Sequence, residues 1–267
     1  MPTDPREAAA TIWHHMASGN TLDALPAAQR PSTRAEGYAI QARLPEVAGG
    51  LALRGWKIAA TSDAGRAHIG VSAPLAGRIM APYAHADGAI VPSKGNRMAV
   101  AEPEFAFVIG KTLAPRSRPY AVDEVMAAVS ALRPAIEIPS SRFADFVNAG
   151  EPQLIADNAC AGHFVFGPEA DADWRSIDLR AHTVHADVRR DGRTALARDG
   201  AGENVLGDPR LALTWIANEL SGLGVALDAG LAVSTGTCMA PVAIEPGDWI
   251  VADFGSIGRV SARFGPG

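Results

Sequence analysis

The stretch AEPEFAFVIG, residues 101–110, opens with two carboxylates, Glu102 and Glu104, and then turns apolar. On a β-strand, residues i and i+2 point to the same face, roughly 6.5–7 Å apart. Two like charges aimed together beside a buried segment raise each other's pKa and cost free energy, unless a cation or a proton is shared between them. A third carboxylate, Glu137, sits in PAIEIPSSRF between Ile136 and Ile138. Strand alternation turns it away from both isoleucines. Three converging carboxylates with no Cys or His among them suit a hard-oxygen site for Mg²⁺ or Mn²⁺ better than one for Zn²⁺. Spacing alone also admits a plainer reading, in which Glu102 and Glu104 are solvated strand-end charges and Glu137 pairs with Arg133 or Arg142.

The elements that position these groups are marked in the sequence. Asp4, Pro5 and Glu7 form a capping-box pattern ahead of a first helix, which SGN at 18–20 ends. Thr33 and Glu36 open a second helix. From residue 51 the texture changes to short apolar runs punctuated by Gly and Pro. LRGWKIAAT, GAIVP, EFAFVIG, RPAIEIP, HFVFG and HTVHADVRR read as strands, with a hairpin turn at Asp191-Gly192. Period predicts helices over 120–132 and over 208–220, the latter capped by Asp208 with Pro209 at its first position. The C-terminal stretch reads as strand, Pro-Gly turn, strand, Gly turn, strand. The strands do not alternate regularly with helices, which disfavours a doubly wound sheet. The expected class is α+β: an N-terminal helical segment over 1–50 and a β-rich unit over 51–267.

Bulk composition bounds the function. The 267 residues are 48% hydrophobic and 20% charged with a net charge of −5, an ordinary globular balance that gives no support for a nucleic-acid surface. Aromatics reach only 6% while Ala, Gly and Val abound, so packing relies on small side chains. Cys160 and Cys238 match no metal or redox spacing and read as buried free thiols. The first sixteen residues carry an early acid and no unbroken apolar core, unlike a signal peptide, and no run is long enough to span a membrane. A cytoplasmic protein with no membrane partner is expected.

Five blocks in order carry a resemblance: GWKIAATS (55–62), EPEFAFVIG (102–110), PAIEIPSSRF (134–143), LIADNACAGHFVFG (154–167) and STGTCMAPVAIEPGDWIVADFGSIGRVSARF (234–264). The chain resembles the 2-keto-4-pentenoate hydratase and 4-oxalocrotonate decarboxylase branch of the fumarylacetoacetate hydrolase superfamily. The resemblance implies a mixed β-roll core behind N-terminal helices and a divalent-metal pocket. Its metal ligands fall on Glu102, Glu104 and Glu137, and its pocket lysine on Lys57. Its substrate-carboxylate block falls on Thr235, Gly236 and Thr237. It implies a lyase that adds water to a 2-hydroxy-2,4-dienoate in a catabolic pathway such as aromatic meta-cleavage. Decarboxylation of a 2-oxo dicarboxylic acid, hydrolysis of an acylpyruvate, and a non-catalytic subunit partnering an active enzyme are the alternatives. A homo-oligomer is the family habit.

Residue chemistry is coherent with these placements. Lys57 follows Trp56 in an apolar strand, where a buried ammonium needs an anionic partner and a bound acid would supply one; a lysine snorkelling to the surface is the other reading. Proton transfer needs a positioned acid or base, for which Lys57 comes first and Asp157 second, unless Asp157 merely forms an Asx turn. Three departures stand out. The family's acidic loop is replaced by IGVSAP, with Ser72 and Ala73 where acids are usual. Ser140 replaces an aspartate, while Arg142 remains to brace the pocket, contact substrate or pair with an acid. ADNACAGH brings Cys160 and His163 near the site, His163 reading either as a proton donor or as a packing residue at a strand start.

Overall fold

The computed structural model describes residues 4–266; Met1–Thr3 and Gly267 lie outside it. Asp4 caps α1 (Pro5–Ser18), which Gly19 ends at φ 75°. The Asp4 carboxylate accepts from the Arg6 amide, while Glu7 accepts from Gln29, so the reciprocal box does not close here. It does close at α2 (Arg34–Gln41), where Thr33 and Glu36 bond each other's backbone amides. After α3 (Leu44–Val47) come β1 (Leu53–Ala59), α4 (Asp63–Ile69), β2 (Leu75–Met80), β3 (Ala84–Ala86), β4 (Ala89–Val91) and β5 (Val100–Ile109). Then follow α5 (Val122–Met126), β6 (Val129–Ile138), α6 (Glu151–Ala156), β7 (His163–Phe166), β8 (Thr183–Arg190) and β9 (Arg193–Ala201). The chain closes with α7 (Pro209–Gly222), β10 (Ala232–Thr237), β11 (Val242–Ala243), β12 (Trp249–Asp253) and β13 (Arg259–Phe264).

Two mixed sheets organise these strands. The first runs β2-β1-β10-β5-β6-β7-β3, with β11 also on β5; the second runs β4-β13-β12-β8-β9. One face of the first sheet packs Phe105, Leu132 and Ile136 against Ala186, Val188 and Ile250 of the second, and α7 adds Leu213, Ile216 and Leu220 to the same core. Alternation sends the other residues of β5 and β6 to the opposite face. Ala106, Ala135 and Ala232 cluster there with Phe164 and Phe166. This is where the small side chains are spent, and it is the face on which the carboxylates emerge.

The N-terminal helices form their own small core around Ile12, Leu25, Ile40 and Leu44, which includes Phe143 and Ala156 from the body of the chain. Gln41 ties α2 down by donating to the carbonyls of Ala76 and Ile155. The helix expected over 120–132 is corrected to one of five residues, α5, followed directly by β6. Residues 129–132 have helical period, but their backbone is taken up by the ladder to β5. Tertiary pairing outweighs so weak a local preference. Among the described residues no helix is long and apolar enough to cross a membrane. Cys160 and Cys238 are buried free thiols.

Candidate metal centre

Strands β5 and β6 are antiparallel in a register that sets Glu102 directly opposite Glu137 and Glu104 opposite Ala135. Since Glu102 and Glu104 share a face of β5, all three carboxylates converge. Each offers an oxygen within 4.8 Å of the others. Glu104 and Glu137 are fully buried, while Glu102 is half-buried and opens onto a cavity.

The bonding of these carboxylates tests whether a cation fits. Oε2 of Glu104 accepts from the Ser234 hydroxyl at 2.5 Å and from the Gly236 amide at 3.0 Å. Its Oε1 is buried with no partner, and Oε2 of Glu137 is likewise bare. Lys57 Nζ lies 3.0 Å from Oε1 of Glu137, an ion pair without hydrogen-bond alignment. Burial pushes Glu104 up to about 7, helped by its neighbour Glu102. Burial also raises Glu137 well above the usual carboxylate range and raises Glu102, with Lys57 opposing both. Burial works against the Lys57 ammonium too, but Glu137, Glu102 and Glu104 together outweigh it and hold its pKa above the ordinary lysine value. One cation therefore faces two fully buried acids and a half-buried third. Oxygen atoms left bare in a water-poor site are costly, and an all-carboxylate set fits a hard divalent cation.

Lys57 is placed from two sides. Across the ladder from it stands Gly77, where a Cβ would fall 2.5 Å from the Asn158 carbonyl oxygen and 2.9 Å from Lys57 Cγ. Glycine is what lets the lysine stem and the 158–160 turn share that space. Asn158, Ala159 and Cys160 all adopt left-handed backbone, with φ 57°, 53° and 57°. Three consecutive non-glycine residues there carry a conformational cost that the surroundings must repay. The Asn158 side chain does so by accepting from the Arg78 amide at 2.7 Å and donating to the Arg78 carbonyl at 2.9 Å. The turn thereby presents the Ala159 carbonyl, which accepts from Lys57 Nζ at 2.9 Å.

Several expected contacts fall elsewhere. Asp157 is not in the cavity lining: it is fully buried and takes the Arg142 guanidinium, the Arg142 amide and the Ser141 hydroxyl. Arg142 also donates to the Ala161 carbonyl. Both side chains are consumed by each other, so the general-acid expectation for Asp157 and the substrate-binding expectation for Arg142 are corrected to a brace behind the 158–160 turn. The Thr235–Thr237 block divides. The Thr235 hydroxyl donates to the Phe105 carbonyl, the Gly236 amide holds Glu104, and only Thr237 lines the cavity. Gly236 has φ 100°, and a Cβ there would lie 2.4 Å from the Thr61 hydroxyl. Ser72 bonds Glu151 and is outside the lining. His163 is also outside it, with Nδ1 2.9 Å from Nε2 of His85, and burial lowers its pKa to about 4.

The cavity above the carboxylates measures about 770 Å³ and is walled chiefly by apolar groups, among them Met98, Pro139, Phe146 and Met239. Lys57 and Glu102 reach it from the floor, while α4 contributes Gly65 and His68. Sequence reasoning missed Ser234 and Asn158. Ser234 was legible in principle, because it stands two residues before Gly236. Nothing local announces that Asn158 clamps a strand 80 positions away.

A curled mixed sheet with a carboxylate triad, two of its members fully buried, and an adjacent ammonium makes a site that could hold a divalent cation through oxygen ligands beneath an apolar pocket. The chain belongs to the fumarylacetoacetate hydrolase family: the family model for the fumarylacetoacetate hydrolase C-terminal domain matches residues 74–264. It is 30% identical over 265 residues to 2-keto-4-pentenoate hydratase of Paraburkholderia xenovorans (strain LB400), covering 98% of this chain and 96% of that protein. It is 32% identical over 235 residues to 4-oxalocrotonate decarboxylase of Pseudomonas putida, covering 87% and 86% respectively. Among solved structures, 4-oxalocrotonate decarboxylase from Pseudomonas putida G7, complexed with magnesium and adipate, superposes with a TM-score of 0.82 at 27% identity, over 99% of this chain and all of that one. The fold class read from the sequence is that of these relatives.

Proposed function

We propose that the protein is a divalent-metal-dependent hydratase that adds water to a 2-hydroxy-2,4-dienoate, giving a 4-hydroxy-2-oxo acid. The observation that carries this reading is the pair of bare, buried oxygens on Glu104 and Glu137, set beside Lys57 under an apolar cavity. Hydratase relatives matched over nearly the full chain support it. Glu102, Glu104 and Glu137 would hold Mg²⁺ or Mn²⁺, and the bound ion supplies Lewis-acid stabilisation of negative charge at the 2-oxo oxygen of a substrate.

The remaining work falls to the chain. Lys57, kept charged by the triad, binds the acid end of the substrate and stands ready as a proton donor. The Ala159 carbonyl fixes its ammonium, so the donor is oriented before substrate arrives. Apolar walls exclude bulk water from the hydrocarbon chain of the substrate. The reaction runs in three stages: C5 gains a proton as the 2-hydroxyl loses one, water adds at C4 and gives up a proton, and C3 takes up a proton to leave the 4-hydroxy-2-oxo acid.

Decarboxylation of a 2-oxo dicarboxylic acid is the second reading, favoured by the full-length likeness to the decarboxylase structure that contains magnesium and adipate. Loss of the dienol absorbance of 2-hydroxypenta-2,4-dienoate on adding Mg²⁺ or Mn²⁺ tests the first reading. Release of CO₂ from 2-oxohex-3-enedioate, with no consumption of the dienoate, would replace it by the second.

A further inference from the structure

A second cavity lies at the seam where α1 meets the body of the chain, and it shares no lining residue with the cavity above the carboxylates. Its walls come from the end of α1, the turn over 92–96 between β4 and β5, the stretch just past β6 and the start of β7. The first two walls meet at glycines. A Cβ on Gly95 would fall 2.5 Å from Gly19 Cα and 2.6 Å from the Gly19 carbonyl oxygen, so only glycine admits the approach. The space measures about 50 Å³. That exceeds the ~10–15 Å³ one water needs and falls far short of a site for an organic ligand.

The lining is rich in donors and holds no carboxylate. Lys94 forms no ion pair among the described residues. Arg142, only 4% exposed, spends three of its five N–H donors on Asp157 and the Ala161 carbonyl, which leaves two. The hydroxyls of Tyr83 and Ser140 line the space and donate to no described residue. Burial pushes the Tyr83 pKa up, with Arg142 opposing it, so the hydroxyl stays a neutral donor. His163 is uncharged near neutrality and engaged with His85. One feature favours a cation instead: the carbonyl end of α1 abuts the cavity at Gly19, worth about half a negative charge. The full charge of Lys94 outweighs it, since Arg142 and Asp157 cancel. Ser140 stands in place of the aspartate usual in the family, the one position from which an acid would balance Lys94.

We infer that this cavity binds a free oxyanion of the sulfate or phosphate class, held by Lys94, Arg142, Tyr83 and Ser140 and separate from the metal centre. The ion takes the place of the missing carboxylate through charge-assisted hydrogen bonds and ties α1 to the body of the chain.

The test is a calorimetric titration of sulfate into the full-length protein at constant ionic strength, with and without Mg²⁺. One site of equal affinity in both conditions is expected, because the ion does not touch the triad. Lys94→Met should weaken binding about fivefold or more, while Lys111→Met, the same change of charge at an exposed site elsewhere, should leave it unchanged. Ser140→Asp supplies the carboxylate from the chain itself. It should abolish sulfate binding and melt no lower than the sulfate-free wild type, which separates a filled site from a misfolded one. Glycerol 3-phosphate should bind at least about tenfold more weakly than sulfate, since the space has no room for its organic part. Absence of a sulfate site in the wild type, a site that requires Mg²⁺, or a loss shared equally by Lys111→Met overturns the inference. So does sulfate binding that survives Ser140→Asp, or glycerol 3-phosphate binding as tight as that of sulfate.

Discussion

Glu102 and Glu137 face each other directly across the β5–β6 ladder, two acids at a position where like charges repel. A fold that keeps such a pair, and adds Glu104 on the same face, stores a charge imbalance that Lys57 offsets only in part. The account of the site follows from that imbalance.

Removing one acid should cost metal binding and spare the fold. Glu104→Gln keeps acceptors for Ser234 and Gly236 but loses a charged ligand, so affinity for Mg²⁺ or Mn²⁺ should fall by at least about 100-fold, comparable to losses known for metal-site partners. The metal-free variant should melt no lower than the wild type, since a buried acid has been neutralised. Calorimetric titration and thermal melts with and without metal check both outcomes.

Metal affinity should rise with pH. The Glu104 carboxyl, pushed up to about 7 in the metal-free protein, must lose its proton before it can serve as a ligand. Titration with Mn²⁺ at pH 6 and pH 8 should show tighter binding at pH 8, and proton release on binding near pH 7. Affinity that is flat across this range would contradict the coupling.

Lys57 balances the triad, and on the proposed reading it also works on the substrate. Lys57→Met should lower kcat by about 10²–10⁴-fold, the usual range for losing a positioned acid or base. It should also lower the melting temperature of the metal-free protein, because the acids lose their buried partner. Divalent metal should restore the melt without restoring turnover, a split that steady-state kinetics and melts on one sample would resolve.

The Asp157–Arg142 brace predicts a different signature. Breaking it with Asp157→Asn or Arg142→Met leaves a buried charge unpaired, at a cost of about 3–5 kcal/mol. The double variant should recover part of that loss. A double-mutant cycle with no coupling would show that the brace is not what holds the 158–160 turn.

Acid stability has its own probe in His163. Its folded-state pKa, near 4, lies below the unfolded value of about 6.5, so the unfolded chain binds the extra proton first. Stability from this group is complete above about pH 6.5 and is lost as pH falls toward 4, by on the order of 3 kcal/mol. Melts of His163→Gln should depend less steeply on pH across this window than those of the wild type.

What the sequence made legible was what depends on short-range alternation and caps. Glu102 and Glu104 had to share a face once 101–110 was a strand, and the signals at Thr33–Glu36 and Asp208–Pro209 name real helix starts. Residues 129–132 read wrongly because an Ala-rich run has helical period whatever its partners, and pairing with β5 decided the outcome. That Asp157 is the acid Arg142 pairs with stayed hidden, because nothing local shows that the two ions would be buried together. Most hidden was the left-handed turn at 158–160, built without a glycine and held by a side chain reaching across to β2.

The most direct test of the central claim is a crystal of the protein grown with Mn²⁺ and measured for anomalous scattering. The account predicts one strong peak within about 2.0–2.3 Å of oxygens from Glu102, Glu104 and Glu137. A peak elsewhere with these three carboxylates unliganded, or none at saturating Mn²⁺, would contradict it.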